Sequence, residues 1–173
     1  ASEWNIKKFT NNRFNNIKLN ENALPKIPKK TYSIIKQNFV NKNINDSSLL
    51  IFENNLSFEI SDFQNNKFKK IYLISNKNKN RSIKLNEKVA KFKSLLIEDQ
   101  EQRLKTKSID CEVIDISEVK KIENCYALYP TVGENLDYLS SNSFKFDFLY
   151  RKLDQYSWQY CNKGFFNFKN YIP

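Results

Sequence analysis

Four carboxylates set close together, Asp110, Glu112, Asp115 and Glu118, form the densest group of side chains in this chain that could do chemistry. On an extended strand Asp110 and Glu112 share a face. Two acids so placed can hold a divalent cation or divide acid and base roles. Acids alternating with Cys111 and Val113 are also what the wet side of a half-buried strand looks like, and that reading is preferred, with no metal ligand and no catalytic residue named. Histidine is absent, which removes Ser-His-Asp and Cys-His machinery, imidazole proton shuttles and histidine metal ligands. Two glycines, Gly133 and Gly164, cannot build a Walker or dinucleotide phosphate loop. The expected cofactor complement is therefore none, and the chain reads as leaning away from enzymes.

Basic side chains supply the best candidate binding face: Lys67, Lys69, Lys70, Lys77, Lys79, Arg81 and Lys84, continued by Lys88, Lys91 and Lys93. The net charge is +10, from 29 Lys and Arg against 19 Asp and Glu. A codon bias towards A/T would by itself enrich Asn, Lys, Ile, Phe and Tyr, so the total charge is discounted. Its segregation is not. Residues 65–93 carry ten basic groups and one acid, whereas residues 94–140 carry five and ten, which points to one basic and one acidic surface. Base stacking would need exposed rings among those lysines, and only Tyr72 and Phe92 lie there, both on expected core faces. An acidic protein partner or large complex fits better than nucleic acid, with an anionic membrane surface as a further option.

Aromatic residues form a second candidate site. Phe144, Phe146, Phe148 and Tyr150 alternate, as do Tyr156, Trp158 and Tyr160 after a polar break. That pattern predicts an antiparallel hairpin with a ringed face over the core. In the alternative reading Phe146, Phe148, Trp158 and Tyr160 line a ligand pocket. Three cysteines, Cys111, Cys125 and Cys161, are too few and too far apart for a disulfide framework or zinc motif. Buried thiols are expected, with a Cys111–Cys125 pair as the lesser option. Soluble or peripheral residence in a reducing compartment follows. No apolar run reaches the roughly 18–20 residues that cross a bilayer. The sequence begins at Ala1 and has no methionine, which implies a trimmed initiator or a removed targeting segment.

These groups need elements to hold them. Residues 1–30, Asn-rich and ending in Pro25-Lys26-Ile27-Pro28, read as an extended, partly packed arm, and 31–173 as a single domain. Residues 31–40 fit a short helix or a strand. Leu49–Phe52 and Leu56–Ile60 flank Asn54-Asn55 as a hairpin would. Residues 70–75, apolar on both faces, predict a central strand, with a shorter one near Ile83–Leu85. Asn86 caps an expected helix over 87–105, its apolar stripe formed by Val89, Phe92, Leu96 and Leu104. Strands are expected at 111–116 and 125–129, a helical turn at 118–122 and a loop over 131–143. The fold class that results is α+β: a mostly antiparallel sheet of about six to eight strands under one main helix. An antiparallel β-barrel with a covering helix is the alternative. The function expected is that of a non-catalytic accessory subunit docking by its N-terminal arm and basic face. Its rivals are a carrier or modifying protein for a chromophore or lipid-like molecule in an aromatic-lined barrel, and a nucleic-acid-associated basic protein.

Overall fold

A computed structural model describes residues 44–59, 62–144, 147–161 and 168–171, within the unit Gln37–Pro173. Five strands, β1 (Ser48–Phe52), β2 (Lys70–Ser75), β3 (Cys111–Asp115), β4 (Cys125–Leu128) and β5 (Asp147–Leu149), form one sheet in the order β3-β2-β1-β4-β5. Every neighbouring pair is parallel. The architecture is therefore α/β, which overturns both the antiparallel sheet and the antiparallel barrel expected above. The expected arm over residues 1–30 and the segment 31–40 lie outside the described residues.

β1 is buried at all five positions, as a strand with neighbours on both sides and cover on both faces must be. Its Leu49 and Ile51 join Ile71, Leu73, Ile97 and Leu104 in one core cluster. Leu50 and Phe52 join Ile74, Ile114, Val119 and Leu139 in another. The first core is closed by Phe58 of the β1–β2 connection and by helix α1 (Glu87–Thr106). The second is closed by the 3-10 turn Ile116–Lys121 and helix α2 (Glu134–Ser141). Connections on the β1-β2-β3 side thus cover one face and those leading to β4 and β5 the other, the doubly wound plan. A third helix, α3 (Lys152–Trp158), follows β5.

Four corrections have a common cause: local patterns fit more than one partner. After Phe52 the chain turns, with Asn55 N–H donating to Phe52 O at 2.8 Å, but both edges of β1 are already taken by β2 and β4. Leu56 and Phe58 pack on the sheet face instead of forming the second arm of a hairpin. The aromatic stretch likewise gives only the short β5, parallel to β4, and then a helix. Tyr156 and Tyr160 meet at 5.3 Å with the i, i+4 spacing of a helical surface. Residues 131–143, expected as loop, contain α2, and none of 83–85 is strand.

Helix α1 matches its expected span within a residue or two, and Asn86 Oδ1 accepts from Lys88 N–H at 3.0 Å as an N-cap. Its buried side is the expected one only at Leu104. Ile97, Gln100 and Leu104 face the sheet, while Val89, Phe92 and Leu96 lie exposed. A test follows directly: Leu104→Ala should lower stability by about 2–5 kcal/mol, whereas Phe92→Ala should change it by less than about 1 kcal/mol. Urea unfolding of the two variants decides which stripe carries the core.

Candidate polar site at the carboxyl ends of the strands

Strand order reverses at β1, since β2 lies on one side of it and β4 on the other. In open α/β sheets the loops leaving two such strands diverge to opposite faces, so that a crevice opens outside their carboxyl ends. Here those loops are Glu53–Asn55 after β1 and Tyr129–Gly133 after β4. Among the described residues, buried Glu53, Asn76, Arg81, Asp115 and Asn135 lie at this end.

Glu53 is the hub. Its carboxylate, with the side chain only 3% exposed, accepts from Arg81, from Lys93 Nζ at 2.7 Å and from Asn76 N–H at 3.1 Å. Arg81 is equally buried; it also pairs with Glu134 and donates Nε–H to Asn76 O at 2.8 Å. Two carboxylates thus face two cations, and the local charge balances. Asn76 Nδ2 donates to Asn135 Oδ1 at 2.9 Å, and Asn135 Nδ2 donates to Asn54 Oδ1 at 3.1 Å. Asn54 Nδ2 spans the reversal point to Pro130 O and Thr131 Oγ1, while Asn55 Nδ2 reaches Tyr129 O at 3.3 Å. Glu53, Asn54, Asn76, Arg81 and Asn135 tie β1, β2 and α2 into one polar layer.

Among the described residues, three buried acceptors of this end have no hydrogen-bond partner: Asn76 Oδ1, Glu134 Oε1 and Asp115 Oδ2. Leaving such atoms unpaired is costly, so a donor from solvent or ligand is needed at each. The loop that leads into Glu134 is also unusual in its backbone. Thr131 has φ +64°, a left-handed conformation rare for a β-branched residue. Gly133, at φ +137°, caps α2 in a conformation that L side chains resist, although open space surrounds the position of a missing Cβ.

Beside the crevice stands an aromatic group. Tyr129 sits 4.8 Å from Tyr150 and 5.5 Å from both Phe148 and Trp158, centroid to centroid. Burial first, then the neighbouring Tyr129, pushes the Tyr150 hydroxyl up to about 12. Of the four residues of the expected aromatic pocket, Phe148 and Trp158 belong to this group. Tyr160 instead stacks on Tyr171 at 4.2 Å, and Phe146 lies outside the described residues.

The expected basic face divides between the two ends of the sheet. Lys67, Lys69 and Lys70 precede or begin β2, whereas Lys77, Lys79, Arg81 and Lys84 follow it. Some 20 Å of strand separates the sets. Lys70 is paired with Glu112 at 2.7 Å, and Arg81 is in the buried network. Near Lys67 and Lys69 a cavity of ≈ 440 Å³ opens between Phe58, Phe68, Gln64 and Ile109.

The acid cluster also divides. Glu112 takes the Lys70 pair, while buried Asp115 accepts from Asn80 Nδ2 at 2.8 Å and from Ser117. Burial raises the Asp115 carboxyl, but the Ser117 and Asn80 hydrogen bonds and the Lys79 charge outweigh it and leave it below its ordinary value. Among the described residues no group of three or more His, Cys, Asp or Glu could hold a metal ion. All three cysteines are free. Cys111 and Cys125 begin strands that have two others between them, roughly 15 Å apart, so they cannot bridge. Burial raises both thiols. No helix of the described residues is long and apolar enough to cross a membrane.

Sequence reasoning missed Glu53, Asn54, Asn76, Glu134 and Asn135. One signal was present: the apolar runs of β1 and β2 stop abruptly at Glu53-Asn54-Asn55 and at Asn76. No family model, curated protein or solved structure matches the chain.

Arg81→Gln should cost about 3–5 kcal/mol, because it leaves Glu53 buried with half its compensation removed. Asp115 gives a pH signature. Its folded carboxyl titrates below the ordinary 3.8, so its stabilising contribution is complete above that value and is lost as pH falls through the lower folded value. Denaturant midpoints between pH 5 and pH 2 should therefore fall further for the wild type than for Asp115→Asn.

Proposed function

We propose that this domain binds a small polar molecule, rich in hydrogen-bond donors, in the crevice between the Glu53–Asn55 and Tyr129–Gly133 loops. The observation that carries the reading is the reversal of strand order at β1, which sends the connections after β1 and β4 to opposite faces of the sheet while Asn54 and Asn55 hold the two loops to each other at the carboxyl edge. The unpartnered Asn76 and Glu134 oxygens support it by asking for donors. Half-buried Trp158, packed on the buried Tyr129 and Tyr150, is the ring of this group that a ring-bearing ligand could meet. Glu134 and Asp137 fill the first turn of α2 with negative charge, so the ligand class is neutral or cationic rather than phosphorylated. A nucleoside-like or sugar-like molecule has the required chemistry.

A second reading, that of an interaction subunit docking on an acidic partner, is favoured by apolar and basic side chains exposed together on α1.

Thermal-shift and NMR titration with nucleosides, sugars and their phosphorylated counterparts tests the first reading. A true ligand at 100 times its Kd should stabilise the fold by about 2.7 kcal/mol. Shifted amides should map to 53–55, 76 and 129–135, and Asn54→Ala should weaken binding. Saturable binding that maps instead to the cavity at Gln64–Lys69, or no binding by any neutral member of the panel, would sink the proposal.

A further inference from the structure

The flank of α1 left uncovered by the sheet is apolar where a surface helix is normally polar. Phe92 is 60% exposed, Leu95 51%, Val89 44% and Leu96 40%, and Ile83 just before the helix is 76% exposed. A contiguous group of this kind marks an interaction surface. None of these residues belongs to the polar layer around Glu53, so the surface is separate from the crevice.

The order of side chains along the flank indicates what covers it. Lys88, Phe92, Leu95 and Asp99 recur at i, i+4, i+7 and i+11, which keeps them in one row along the helix. Read backwards, the row has the same form with its charges exchanged. Laid antiparallel on a second copy about a two-fold axis midway between Phe92 and Leu95, the row sets Phe92 against Leu95 and Lys88 against Asp99, each pair occurring twice. Val89 and Leu96 then widen the apolar centre on the side nearer the sheet. Both end charges are available in the single copy: Lys88 is exposed, and Asp99 is 64% exposed despite its pair with Arg103 at 3.1 Å. An isologous contact requires this kind of self-complementarity, in which residue i meets j and j meets i.

We infer that α1 is a homodimerisation surface, with a second copy of this chain as its occupant. The proposal rests on the interaction reading and leaves the ligand-binding reading untouched. The larger-scale charge pattern agrees with it. Lys84, Lys88 and Lys91 outnumber Glu87 around the start of the helix, while Glu98, Asp99 and Glu101 outnumber Arg103 and Lys105 past its middle, so antiparallel packing brings a net basic half to a net acidic one. The contact is one helix wide, well below a large obligate interface, and a concentration-dependent dimer is the expected form.

Sedimentation velocity of the whole 173-residue chain, from about 1 to 500 μM, reads this out. The wild type should pass from monomer to dimer. Phe92→Glu should remain monomeric with an unchanged melting temperature, because the ring is exposed in the single copy. Lys88→Glu alone and Asp99→Lys alone should each weaken dimerisation about tenfold or more. The double variant, with both charges exchanged, should recover most of the loss. A monomer at every concentration would overturn the proposal, as would a dimer indifferent to Phe92→Glu or a double variant weaker than either single. A synthetic acidic Glu/Leu amphipathic helix separates the two failures. If the monomeric wild type binds that helix and Phe92→Glu does not, docking stands and the second copy is rejected as occupant; if neither binds, both readings fall.

Discussion

Enclosure of β1 on both faces and both edges is the constraint on which the rest of the fold depends. Leu49, Leu50, Ile51 and Phe52 are fully hidden, so neither side of this strand can meet water and neither edge is available to another chain. A strand enclosed in this way needs cover above and below. Parallel neighbours in turn need crossovers, which supply that cover. Helix α1 and Phe58 cover one face, and α2 with the Ile116–Lys121 turn covers the other. The same arrangement forces the chain to leave β1 and β4 in different directions. The reversal point at the carboxyl edge is thus a consequence of how the central strand is buried.

At the carboxyl edge the price of that burial is polar. Glu53 follows Phe52 directly and is carried inward with it, so its charge must be answered inside the protein. Arg81 answers it and shares its other guanidinium arm with Glu134, while Lys93 of α1 completes the balance. Such a network adds little net stability over an apolar layer of equal volume, although breaking it is expensive. What it provides is position. It fixes the start of α2 and the β1 turn relative to each other, the two walls a ligand in the crevice would touch. The unpartnered oxygens of Asn76 and Glu134 lie in this same layer, so the group that gives the edge its rigidity also carries the surplus hydrogen-bonding capacity.

Helix α1 serves three elements of this arrangement with different sides. Ile97 and Leu104 pack on the sheet, Lys93 reaches the buried Glu53, and Phe92 and Leu95 face outward. Twenty residues are enough to carry both an inner and an outer apolar stripe. Whether a stripe is core or surface is then decided by which side meets the sheet.

Several features were determined by the sequence alone, because local physics suffices for them. Asn86 capped a long helix, the doubly apolar run at 70–75 made a central strand, and β3 and β4 lay within the spans expected of them. Absence of histidine and scarcity of glycine are likewise read directly from the residues, without reference to any fold. Strand direction was not legible, because the alternation of Phe144–Tyr150 is the same whether its neighbour runs parallel or antiparallel, and hydrogen-bonded partners are chosen over distances no local pattern records. Helix α2 was obscured by the turn-forming residues around Gly133, and the exposed stripe of α1 looked like core because periodicity reports amphipathicity and not what lies opposite. Least visible of all was the polar layer. Glu53, Asn76, Arg81 and Asn135 are spread over some eighty residues with no shared spacing, and only the parallel sheet, by ending its strands at one edge, brings them together.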